Sequence, residues 1–185
     1  LFICGGVPPV IFGGAFGNLM QGVPFRFDDY LMPTYSGSFW ALLNPFALLA
    51  GVVSSAMITL QGATYLAHRT EAQIQRRAVV AGVGAALVMV VAFVAAGLWL
   101  QGMEGYRISS AVQTAALPDP LSKTVVREPG AWMANYAAWP ALWALPALGV
   151  AGALAAAALL AARRTLDDGA RLILSAFFLR HARAK

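Results

Sequence analysis

Few residues in this chain have side chains suited to catalysis or to holding a metal. The histidines are His68 and His181, and the one cysteine is Cys4. Asp28 and Asp29 are adjacent carboxylates. Such a pair performs acid–base chemistry when burial drives its pKa values apart. These two lie among the turn formers Pro33, Ser36 and Gly37, so solvated loop charge or a local bridge to Arg26 is expected instead. Haem iron takes His, Met or Cys as an axial ligand. Met20, Met57 and Met89 fall inside apolar runs and are read as packing. His68 stands beside Arg69 at the edge of such a run, which suits an interfacial role. A single cysteine excludes an internal disulfide, and no zinc motif, phosphate-binding loop or nucleophile elbow occurs. No catalytic, cofactor-binding or metal-ligating residue is therefore assigned.

The elements that surround these residues belong to a membrane. No charged residue occurs from Leu31 through Ala67. A membrane helix needs roughly 20 apolar residues, and a soluble core helix would carry a charged face. The run closes on Gln61, Thr64, Tyr65, His68 and Arg69, as a membrane helix does at a basic surface. Asn44-Pro45 opens it, with Pro where the first helical amide has no partner. Charged residues make up 11% of the chain, against about 25% in soluble domains. The mean hydropathy is +0.68. The net charge of +5 comes from Lys and Arg placed between apolar spans. That pattern reads as a positive-inside bias and argues against nucleic acid as a partner.

The expected fold is all-α, a polytopic transmembrane helix bundle in a single membrane domain, residues 1–185. Spans are placed at about 1–25, 41–67, 78–102 and 139–162, with a shortened fifth apolar segment at 172–185. Pro8-Pro9 is expected to kink or break the first span. Gly13 and Gly17 form a GxxxG pair, and Gly82 with Ala86 offers a second small-residue face. The apolar start at Leu1 and the shortness of the last segment read as the interior of a longer polypeptide. Segments 26–40 and 103–136 are expected to be outer loops, and 68–77 and 163–171 inner ones. Arg69, Arg76, Arg77, Arg163, Arg164 and Arg171 then lie inside, while Trp40, Trp99, Trp132 and Trp139 lie at the outer surface.

No Asp, Glu, Lys, Arg or His falls within the four spans. Buried ionisable groups mark proton relays and substrate sites in membranes, so no proton wire is expected from these spans. The long segment 103–136 balances its charges and carries Val125, Val126, Trp132, Met133 and Tyr136. Apolar mass of that kind marks a contact surface. Arg127, Glu128, Trp132 and Tyr136 are the candidate partner-interface residues.

Several stretches resemble subunit II of the cytochrome bd ubiquinol oxidases. They are GNLMQGVPFRFDDYL from Gly17, GSFWALLNPFALLAGVVS from Gly37, QGATYLAHRT from Gln61, GYRISS from Gly105 and NYAAWPALWALPALGV from Asn135. PLSKTVVREPGAWMAN from Pro120 looks like that subunit's long outer loop. The final RHARAK departs from the pattern, where the family continues through further membrane helices. The resemblance implies a multi-pass protein of the bacterial inner membrane. It implies a haem-bearing subunit I as partner, which carries haems b and d, oxidises quinol and reduces oxygen to water. It implies no haem on this chain and no catalytic residue, with a structural quinone at an unassigned place. This fragment alone is expected to be inactive. A membrane transporter or scaffold is the alternative reading of the residues.

Overall fold

The computed structural model describes residues 2–30, 32–110 and 123–162. The expected inner loop 163–171 and the shortened segment 172–185 lie outside the described residues.

Long apolar helices dominate. Helix α1 is Phe2–Gln21 and is followed by strands β1 (Phe25–Phe27) and β2 (Pro33–Tyr35). Helices α2 (Pro45–Arg69) and α3 (Ala72–Gly102) come next. Strands β3 (Glu104–Ile108) and β4 (Val125–Pro129), the short helix α4 (Ala134–Ala138) and helix α5 (residues 144–162) complete the described chain. With the single turn before α5, 4 helices among the described residues are long and apolar enough to cross a membrane. The fold is an all-α polytopic bundle decorated by two small hairpins.

The structure adds three details to the expected spans and loops. Helix α1 runs through Pro8 and Pro9 without a break. The segment 68–77 is helical except at Thr70 and Glu71. Gln73, Gln75, Arg76 and Arg77 are good helix formers. The 31 residues of α3 rise about 46 Å, more than the roughly 30 Å of a hydrocarbon core. The helix therefore continues past the apolar stretch and carries its basic residues with it. Finally, both expected outer loops contain paired strands.

The chain divides into two compact units, Leu1–Ser55 with Val91–Ala147, and Ala56–Val90 with Leu148–Lys185. In the first, α1 lies against the start of α2. A Cβ on Gly17 would stand 2.7 Å from the Ala47 Cα, and one on Gly51 would stand 3.0 Å from the Val10 carbonyl oxygen. The GxxxG pair thus serves packing inside the chain. Asn44 caps α2, since its Oδ1 accepts from the Ala47 amide at 2.7 Å. Its Nδ2 donates to Asn18 Oδ1 at 2.8 Å. Asn18 Nδ2 donates in turn to the carbonyls of Gly14 at 2.9 Å and Leu42 at 2.7 Å. Each polar atom of the Asn18 amide is satisfied, as a membrane interior demands.

In the second unit the core is built from Leu60, Ala67, Ala78, Val79, Ala86, Ala153, Ala157 and Leu160. Small residues let the helices approach closely. A Cβ on Gly82 would lie 2.8 Å from Leu160 Cδ1 and 3.0 Å from Ala63 Cβ. Gln75 Nε2 donates to the Ala67 carbonyl at 3.2 Å, satisfying a group near the end of α2.

Candidate partner interface and membrane groove

The four candidate interface residues fall in one folded module of the first unit. Strands β3 and β4 pair antiparallel from Glu104 opposite Pro129 to Ile108 opposite Val125. Arg127 lies opposite Tyr106 and donates to its hydroxyl at 2.6 Å. Its guanidinium also stands over the Tyr106 ring, 5.1 Å from the centroid. The neighbouring Glu128 is bridged to Arg107 at 3.2 Å. After β4, Gly130 takes φ 74 and its amide donates to the Met103 carbonyl at 2.9 Å. This left-handed turn suits glycine, and it folds the chain back over β3.

Trp132 then packs on Gly105, where a Cβ would meet Trp132 Cδ1 at 3.0 Å. Its Nε1 is buried with no hydrogen-bond partner among the described residues. Tyr136 stacks on Trp143, with ring centroids 5.0 Å apart. Trp132, Met133 and Tyr136 are half-buried within this chain. The expected exposed apolar mass is therefore shared between the module's own interior and its surface. Arg127, Tyr106, Arg107, Val125 and Val126 form the exposed part. Tyr106 and Arg107 are members of the surface that the sequence did not single out. Their signal was the alternating GYRI stretch facing VVRE, but pairing register across a long connection is not a local property.

Elsewhere the possible chemistry stays dispersed. Asp28 Oδ1 accepts from the amides of Tyr30 at 3.0 Å and Met32 at 2.8 Å. It closes a turn between β1 and β2 instead of pairing with Asp29 or Arg26. Cys4 is exposed on α1. No group of three or more His, Cys, Asp or Glu residues occurs among the described residues.

In the second unit an open groove of about 660 Å³ brings together Met57, Gln61, Thr64, Tyr65, His68 and Arg69 of α2, Met89 of α3, and Gly149, Gly152 and Ala153 of α5. The α2 members recur at spacings of three and four residues, the period of one helix face. That spacing was readable in the sequence, although the facing glycines were not. Met57, Met89 and His68 thus share one groove. Met57 is 49% exposed and His68 is exposed.

Residues 1–181 match the family described as cytochrome bd terminal oxidase subunit II. The cytochrome bd-I ubiquinol oxidase subunit 2 of Escherichia coli strain K12 is 52% identical over 151 residues, covering 81% of this chain and 40% of that protein. A probable cytochrome oxidase subunit 2 of Haemophilus influenzae is 45% identical over 164 residues, covering 89% of this chain and 43% of that protein. The chain spans less than half the length of these curated relatives. These matches do not support the transporter or scaffold reading. The match to residues 1–181 takes in the asparagine-capped α2, the small-residue packing and the outer module alike, and with it the chain belongs to the cytochrome bd terminal oxidase subunit II family.

Proposed function

We propose that the full-length protein is the haem-free second subunit of a bd-type quinol:dioxygen oxidoreductase in a bacterial inner membrane. Its partner is a haem-bearing subunit I with haems b and d, where quinol is oxidised and oxygen reduced. This chain contributes a membrane scaffold and takes no chemical step. The observation that carries the reading is the family match along nearly the whole chain, in a bundle whose described spans bury no charged side chain. Buried ionisable groups mark proton relays in membranes, and this supports placing the redox chemistry in the partner. Haem, when bound to the partner, supplies the electron transfer and oxygen chemistry. The residues here hold the helices together and present the β3–β4 module for contact.

The module suits docking because the Tyr106 ring sets it against Gly22, just after α1, while Arg127 stays exposed. Arg and Tyr are frequent anchors of protein interfaces. The basic ends of α2 and α3 face the cytoplasm in this account, and the two hairpins face outward. A structural quinone and bilayer lipid complete the surroundings. Oxygen uptake driven by quinol in the purified full-length complex tests the proposal. Activity should require both subunits, and neither this subunit nor the present fragment should turn over quinol alone. Full activity from this subunit alone would overturn it.

A further inference from the structure

The groove of the second unit has features that helix packing leaves unexplained. Leu60, Ala153, Ala156 and Met89 give it an apolar wall, and Gly149 and Gly152 leave part of that wall without side chains. A Cβ on either glycine would meet no atom within 4 Å. Glycine weakens a helix interior, and among the described residues no side chain fills the space it leaves. At one end the wall gives way to Gln61, Thr64, Tyr65, His68 and Arg69. Among the described residues no carboxylate lines the groove. Arg69 supplies a fixed positive charge as the last residue of α2, at headgroup depth for a membrane helix. Its guanidinium stands 5.9 Å from the Tyr65 ring centroid, and no carboxylate among the described residues is bridged to it. That leaves its N–H fork available to a phosphate, which it matches in shape.

We infer that this groove binds one anionic phospholipid of the bilayer, with the phosphate at Arg69 and an acyl chain lying over Gly149 and Gly152. Basic pockets between membrane helices recognise anionic headgroups in this way. The Tyr65 hydroxyl and the Gln61 amide add donors at the same end. The inference rests on the helices spanning a membrane and stands independently of the oxidase proposal.

The test uses the full-length protein in its purified complex, stripped with detergent and returned to phosphatidylglycerol or phosphatidylcholine. Retained lipid is read by native mass spectrometry. One phosphatidylglycerol should be held per complex, about fivefold in preference to phosphatidylcholine, as expected for one basic side chain at a membrane surface. Arg69→Gln should abolish that preference and Arg69→Lys should keep much of it. Gly152→Leu should fill the groove and displace the lipid with no change in melting temperature, since the glycine faces open space. Should Arg69→Gln fail to fold, Gly152→Leu decides alone. Equal retention of the two lipids would overturn the inference. So would a quinone mass in the lipid's place, retention unchanged by Gly152→Leu, or no retained lipid because later helices of the full-length chain cover the groove.

Discussion

Asn44 Nδ2 donates to Asn18 Oδ1 at 2.8 Å and so ties the last turn of α1 to the cap of α2. The same Asn44 accepts from the Ala47 amide, so one side chain both starts a helix and joins it to its neighbour. In a lipid environment neither role can pass to bulk water.

Replacing Asn44 by Ala should therefore lower stability by about 2 kcal/mol, combining a lost cap with a stranded amide oxygen on Asn18. Asn44→Ser keeps a capping oxygen and should recover about 1 kcal/mol. Thermal unfolding of the full-length complex in detergent measures both. Identical melting temperatures for Asn44→Ala and the parent would show that the clamp contributes nothing.

Arg127 and Trp132 should separate into two kinds of interface residue. Arg127→Ala removes an exposed guanidinium and should reduce the yield of two-subunit complex while membrane insertion stays unchanged. Trp132→Ala removes packing from Gly105 and should loosen the whole β3–β4 module, costing about 3 kcal/mol or more. Trp132→Phe keeps most of that packing and loses only an N–H that has no partner among the described residues. If the N–H reaches the other subunit, Trp132→Phe should lower complex yield without changing insertion. Arg107→Ala should matter little, because exposed ion pairs contribute about 0–1 kcal/mol. Unchanged complex yield and melting for both Arg127→Ala and Trp132→Phe would reduce the module to a cover on its own bundle.

Orientation is read from labelling. Ser36, just beyond β2, and Gln73, in the first turn of α3, are both exposed. With Cys4→Ser as background, an impermeant thiol reagent on intact cells should mark Ser36→Cys and spare Gln73→Cys. Equal marking, or marking of Gln73→Cys alone, contradicts the proposed orientation.

The membrane helices were legible because long charge-free runs have few alternatives, and because Asn44-Pro45 and Arg69 mark the ends of α2 so plainly. Local rules misled where tertiary surroundings decided the outcome. Pro8-Pro9 predicted a kink or a break, and α1 continues through both prolines without a break. Arg76 and Arg77 suggested a loop, yet basic residues are good helix formers once they stand in the headgroup region. The hairpins were missed for another reason. Strands β1 and β2 have only 3 residues each, too few for an alternating pattern, and β3 meets β4 across a long connection. The clustering of Arg127, Glu128, Trp132 and Tyr136 was visible as sequence proximity. Their division into outward-facing and packed residues depends on Tyr106, Arg107 and Gly105, which only the strand pairing brings beside them.

The account's central claim is that this subunit supports haem in a partner and binds none itself. The most direct measurement is haem content by difference spectroscopy of the partner subunit, purified with and without the full-length form of this protein. The complex should show the full haem spectrum. This subunit purified alone with haem supplied should show no stoichiometric Soret band. The partner expressed without it should lose most of its haem signal. A stoichiometric haem band on this subunit alone, removed by His68→Ala or Met57→Leu, would contradict the account.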